Sequence, residues 1–116
     1  MYLEKLFNLK DKVVAVIGGG GYLCSEMARS LAHAGCSVAI IDIRLEKAKK
    51  IEIEINKEGF KNTLSLSLDV GKKIQHEKVL NSILNKFGSL DVVINGAGIN
   101  GSTSFLDITE NEWNEI

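Results

Sequence analysis

The stretch Val13–Cys24, Val-Val-Ala-Val-Ile-Gly-Gly-Gly-Gly-Tyr-Leu-Cys, constrains this chain more than any other. Its first five residues are all apolar. Such a run predicts a strand buried on both faces, as in a parallel sheet. Four glycines end it, and Leu23, Met27, Ala28, Leu31 and Ala32 then recur at helical spacing. Strand, glycine turn, helix is the opening of a nucleotide-binding βαβ unit. A helix start carries unpaired N–H groups and a partial positive charge. Glycines let the chain turn tightly and let a pyrophosphate approach those N–H groups. The common Gly-x-Gly-x-x-Gly fingerprint is incomplete here. Counted from Gly18 its last place holds Leu23, and counted from Gly19 it holds Cys24. A glycine turn with no ligand is the alternative, and the rest of the chain has to decide.

The pattern repeats downstream. Strands are expected at about 12–17, 37–41, 62–68 and 90–94, and helices at about 22–34, 45–57 and 72–86. Gly35, Gly59 and Gly88 close the helices. The helix at 45–57 should bury Leu45, Ala48, Ile51 and Ile55 and leave its lysines and glutamates solvated. The helix at 72–86 should bury Leu80, Ile83, Leu84 and Phe87. In 62–68, Leu64, Leu66 and Leu68 alternate with Ser65 and Ser67, which fits a strand nearer the sheet edge. Leu3, Leu6, Phe7 and Leu9 form a lead-in expected to pack outside the first strand. A polar loop should follow 95–98 and run through Ser104. Thr109 with Glu112 reads as a capping box, so a last helix should start near Thr109. The chain ends at Ile116, within that expected helix. The fold class is α/β: a Rossmann-type doubly wound parallel sheet, strand order 3-2-1-4, with a ligand crevice where the first and fourth strands diverge.

Composition narrows the function. A chain of 116 residues holds one domain. A net charge of −1 offers no basic field for nucleic acid or an anionic membrane. Met1 to Lys12 mixes charged and apolar residues and is no signal peptide, so a cytoplasmic location is expected. Cys24 and Cys36 have no Cys-x-x-Cys spacing and form no cluster with His33 or His76, so buried thiols are expected and no metal site.

Four features fall at the ends of the four expected strands. They are Gly18, Gly19, Gly20 and Gly21 with Tyr22 and Leu23; Asp42, Ile43 and Arg44; Asp69 and Val70; and Asn95, Gly96, Ala97 and Gly98. In an open α/β sheet that edge is where ligands bind. This coincidence lifts the glycine turn above a bare turn. Asp42 suits a carboxylate accepting hydrogen bonds from an adenosine ribose. It would repel a 2′-phosphate by roughly 1 to 4 kcal/mol at about 4 Å, which favours NAD over NADP. Arg44 could offset this by meeting a phosphate, or sit in solvent at the helix start. Asp42 could equally cap the following helix.

With these residues in place, the chain resembles the N-terminal half of a short-chain dehydrogenase/reductase. That family's turn, Thr-Gly-x-x-x-Gly-x-Gly, is matched by Ile17 to Cys24, with Ile17 for threonine, Tyr22 for the middle glycine and Cys24 for the last. Asp69-Val70 resembles the Asp-Val pair whose carboxylate meets the adenine amine. Asn95-Gly96-Ala97-Gly98 resembles Asn-Asn-Ala-Gly, which steadies the sheet and lines the cofactor, with Gly96 substituted. The variant glycine turn and the Leu-Phe-x-Leu-Lys lead-in are similar to a sugar-acid branch, that of D-mannonate (fructuronate) oxidoreductases and gluconate dehydrogenases.

The resemblance implies hydride transfer between a nicotinamide cofactor and a secondary alcohol or ketone, a small-molecule substrate, and a homo-oligomer at full length. The family's catalytic Ser and Tyr-x-x-x-Lys are not matched, since Tyr2 is followed four places on by Leu6 and Tyr22 by Glu26. Residues 1–116 are therefore expected to be the N-terminal part of a single dinucleotide-binding domain, cut within the helix that starts near Thr109 and inactive alone. The alternative is a naturally short, non-catalytic nucleotide-binding module or sensor.

Overall fold

The computed structural model describes residues 1–98 and 103–115. Four parallel strands, β1 (Val13–Ile17), β2 (Ser37–Asp42), β3 (Thr63–Ser67) and β4 (Val92–Asn95), lie in the order β3-β2-β1-β4. The expected order 3-2-1-4 is the observed one. Helices α1 (Tyr2–Phe7), α2 (Tyr22–His33), α3 (Leu45–Lys57), α4 (Lys73–Phe87) and α5 (Glu110–Glu115) complete the fold. The expected loop residues 99–102 and the terminal Ile116 lie outside the described residues.

β1 is central because it is apolar on both faces. Val14 and Val16 join Cys24, Ala28, Ala32, Val38, Ile40, Ala48 and Ile55 in one cluster beneath α2 and α3. Val13 and Ala15 join Ala39, Ile41, Leu68, Val79 and Ile83 in a second cluster on the other face. Register aligns Ile17 with Ile41 and with Asn95, and Asp42 with Ser67. The strands' carboxyl ends therefore come level along one edge. Gly35, Gly59 and Gly88 all take positive φ just past their helices, the left-handed conformation that ends a helix at low cost.

Two expected buried stripes shift. In α2 the inward line is Cys24, Ala28 and Ala32, while Leu23 and Met27 are largely exposed beside Ile94. In α4 it is Val79 and Ile83 with Phe87 partly covered, while Leu80 and Leu84 face outward. In both helices the apolar face is wider than the sheet contact, so hydrophobicity alone does not choose the line. The lead-in also differs from expectation. Residues 2–7 form a helix with no buried residue, and Phe7 is 72% exposed. Among the described residues, the lead-in is anchored after that helix, through the Leu9 carbonyl, which accepts the Cys36 thiol at 3.4 Å, and through the Asp11 N–H on the Gly35 carbonyl at 3.0 Å. Burial, with the Asp91 charge nearby, pushes the Cys36 thiol above its ordinary range.

An ion-paired seam joins α2 to α3. Arg29 meets Glu26, Glu54 and Glu58 at 2.8 to 3.0 Å. The pairs are partly exposed, so this seam orients the helices more than it stabilises them. At α5 the capping box is half-formed. Thr109 Oγ1 accepts the Glu112 N–H at 3.1 Å, while the Glu112 carboxylate accepts the Thr103 N–H at 3.3 Å.

Among the described residues, β4 pairs only with β1, and Val92 and Val93 are 41% and 54% exposed. An uncovered apolar edge strand invites pairing. Sedimentation velocity on the isolated chain should therefore show association that grows with concentration. A monodisperse, cooperatively folding monomer would contradict this.

Candidate functional site

The site begins where β1 runs out. Gly18 takes φ +79°, and a Cβ there would lie 3.0 Å from the Gly96 carbonyl carbon and oxygen. Only glycine accepts both constraints at once. The turn is then tied down by the Gly19 N–H on the Ile41 carbonyl at 2.9 Å and the Gly21 N–H on the Gly18 carbonyl at 3.0 Å. Gly20 is confined differently. A Cβ on it would lie 2.6 Å from Lys47 Cβ and 2.9 Å from Asp42 Oδ2, so the turn is pressed against the start of α3. Gly21 is the N-cap of α2 and offers no side chain to the helix's first N–H groups. Those groups remain available to an anion, which the helix dipole favours.

Asp42, the last residue of β2, faces this turn. Its Oδ2 accepts the Gly20 N–H at 3.1 Å and its Oδ1 accepts the Arg44 N–H at 3.0 Å. The carboxylate is therefore a brace for the glycine turn, a role sequence reasoning missed. Asp42 is not the cap of α3; that position is Arg44, which makes no side-chain cap bond. Each carboxylate oxygen keeps acceptor capacity for a hydroxyl.

The other two strand ends are ordered in the same way. Asp69 Oδ1 accepts the Gly71 N–H at 3.0 Å, and the Asp69 N–H is held by Gln75 Oε1 at 2.8 Å. Asn95 Oδ1 accepts the Ala97 N–H at 3.2 Å, and the Gly96 N–H donates to the Ile17 carbonyl at 2.9 Å. The turned backbone at the strand ends leaves a cleft of about 470 Å³.

Gly18, Asp42, Ile43, Asp69, Val70, Gly96, Ala97 and Gly98 line that cleft, as the sequence led us to expect. Ile17, Leu68, Gly71 and Glu115 line it too and were not anticipated. Ile17 and Leu68 flank the predicted motifs by one residue, which is the signal that could have found them. Gly19, Gly20, Gly21, Tyr22, Leu23, Arg44 and Asn95 do not line it. Gly19 to Gly21 and Asn95 instead shape the backbone around it. Tyr22, at the first position of α2, is 92% exposed, and Leu23 and Arg44 are also exposed.

Among the described residues, no group of three or more His, Cys, Asp or Glu side chains could hold a metal ion. None of the described helices is long and apolar enough to cross a membrane.

Comparison with known proteins gives consistent likenesses. A family model described as short chain dehydrogenase matches residues 12–116. The chain is 38% identical, over 87% of its length and 36% of the relative's, to a Bacillus subtilis protein called uncharacterized oxidoreductase UxuB. It is 34% identical to the NADP-dependent mannitol dehydrogenase of Alternaria alternata, over 98% of this chain and 44% of that one. It is 31% identical to the NAD-dependent glycerol dehydrogenase of Listeria innocua, over 97% and 42% respectively. Among solved structures, a short-chain type dehydrogenase/reductase from Mycobacterium marinum superposes with a TM-score of 0.88 at 25% identity, covering 98% of this chain and 46% of that one. The chain thus spans less than half the length of these relatives.

Proposed function

The chain belongs to the short-chain dehydrogenase family, and on that premise we propose that it forms the N-terminal part of an NAD(P)-dependent oxidoreductase domain and holds the cofactor's adenosine and pyrophosphate. One observation carries the reading. The Gly18 turn that leads into the uncapped α2, the Asp42 carboxylate and the Gly96–Gly98 backbone converge on one cleft at the sheet's carboxyl edge. The pyrophosphate would lie at the N–H groups that open α2. The ribose hydroxyls would donate to the free lone pairs of Asp42. Ile43 and Val70, both exposed at the cleft, would cover the faces of the adenine, with Asp69 near its amine.

The bound nicotinamide cofactor supplies a hydride acceptor or donor. The whole protein would use it on a secondary alcohol or ketone. A polyol substrate is supported by likeness to mannitol and glycerol dehydrogenases; a sugar acid remains the class that the variant glycine turn and the lead-in suggest. The acid–base residues would come from the part of the relatives that this chain does not span, and full-length copies would assemble as a homo-oligomer. NAD is the preferred cofactor on this reading, because Asp42 repels a 2′-phosphate. The relatives named above use either cofactor, so Asp42 itself carries that preference.

Calorimetric titration with NAD and with NADP tests the reading. NAD should bind at least tenfold tighter, and the chain alone should oxidise no polyol. Failure to bind either nucleotide, or turnover at an enzymatic rate, would contradict it.

A further inference from the structure

Two departures from the family's turn and loop patterns, Cys24 and Gly96, lie far apart in sequence and touch in space. A Cβ on residue 96 would fall far inside van der Waals contact distance of Cys24 Sγ. It would stand 3.7 Å from Cys24 Cβ, an ordinary contact. Of the two Cys24 atoms, the collision is therefore with the sulfur. Cys24 is 8% exposed, in the first turn of α2, and belongs to the core cluster that includes Val14, Val16 and Ala28. It cannot swing outward without leaving that core. Gly96 is equally fixed, by its N–H on the Ile17 carbonyl at 2.9 Å and by the close approach of Gly18 to its own carbonyl. The thiol thus occupies the space in which a side chain at residue 96 would begin.

We propose that Cys24 and Gly96 act as one positioning pair, in which the thiol sets how closely the Gly96–Gly98 backbone approaches the N-terminus of α2 and so sets the width of the dinucleotide cleft. This rests on the dinucleotide reading above and extends it to a residue that contacts no ligand. The consequence is reciprocal. A larger residue at 96 is tolerated only where residue 24 gives up its sulfur, and the sulfur is useful only where residue 96 is glycine. The second strained approach at residue 96, 3.0 Å from a Cβ there to the Ile17 carbonyl oxygen, is independent of residue 24 and so cancels in a comparison of backgrounds.

The test is a double-mutant cycle on the full chain with Gly96→Ala, Cys24→Ala and the double variant. It is read by ADP-ribose affinity and by the midpoint of thermal unfolding. Gly96→Ala should weaken ADP-ribose binding more than tenfold in the wild-type background and by less than about threefold in the Cys24→Ala background. If Gly96→Ala alone does not fold, folding and binding by the double variant supports the pair, and failure in both backgrounds overturns it. Equal penalties in the two backgrounds overturn it as well. Coupling in the unfolding midpoint without coupling in affinity reduces the thiol to packing and overturns the positioning role. A folded wild-type chain that does not bind ADP-ribose overturns the dinucleotide reading, and the positioning role with it. Binding with an additive cycle overturns only the pair.

Discussion

Gly20→Ala should abolish dinucleotide binding, by more than a hundredfold in affinity, and lower stability by about 2 to 3 kcal/mol, the upper part of the range for an overpacked site. The Cβ it adds would sit 2.6 Å from Lys47 Cβ, which is fixed to the α3 backbone and cannot rotate away. Either α3 or the glycine turn has to move. If the turn moves, the Gly20 N–H leaves Asp42 Oδ2, now 3.1 Å away, and the start of α2 loses its aim. Gly21→Ala is the control. Its Cβ would meet only the Gly18 carbonyl oxygen, at 3.3 Å, and its φ of −78° suits any residue. That variant should keep affinity within about tenfold, since alanine replaces glycine at an N-cap for a modest loss. Calorimetric titration and thermal unfolding of both variants check the ranking. Equal effects would show that crowding against α3 is not what makes residue 20 a glycine.

Asp42→Asn should cost NAD about ten- to a hundredfold in affinity and reduce the NAD-over-NADP preference to near parity. The carboxylate accepts the Gly20 N–H on one oxygen and the Arg44 N–H on the other. An amide has one acceptor oxygen and one donor nitrogen, so in either orientation one of those N–H groups faces a donor. The turn loses a brace, and the ribose loses a charged acceptor worth roughly 1.5 to 3 kcal/mol. NADP loses the same brace but is relieved of repulsion, so it should suffer less. Titrating wild type and variant with both cofactors measures this. An unchanged NAD/NADP ratio would remove Asp42 from cofactor choice.

The fold was legible because its signals are local and repeated. A continuous apolar β1 can only be a central strand. The glycines at 35, 59 and 88 mark helix ends, and all three take positive φ. The serine–leucine alternation in β3 marks an edge strand, which is where β3 lies. What stayed hidden depends on neighbours. Leu80 and Leu84 sit one residue from the true inward line of Val79 and Ile83, and an apolar stripe that wide does not reveal which row meets the sheet. Leu3, Leu6 and Phe7 looked able to pack, but no described element covers them.

At the site, the residues that end the four strands could be placed along one sheet edge from the order of apolar runs and helical periods, while the roles of Asp69 and of Asn95 to Gly98 came from the family resemblance. The Asp42–Gly20 bond and the Cys24–Gly96 contact could not. Each joins residues from different βα units, and neither leaves a periodic trace.

On the function proposed above, the carboxyl edge of this sheet is a dinucleotide site. The most direct measurement is backbone amide NMR of the chain titrated with ADP-ribose, which carries the adenosine and pyrophosphate without the nicotinamide. Saturable shifts should concentrate at 18–24, 42–44, 69–71 and 96–98 and leave the α2–α3 ion-pair seam at Arg29 and Glu58 unmoved. A folded chain whose amides do not shift, or whose shifts fall elsewhere on the sheet, would contradict the account.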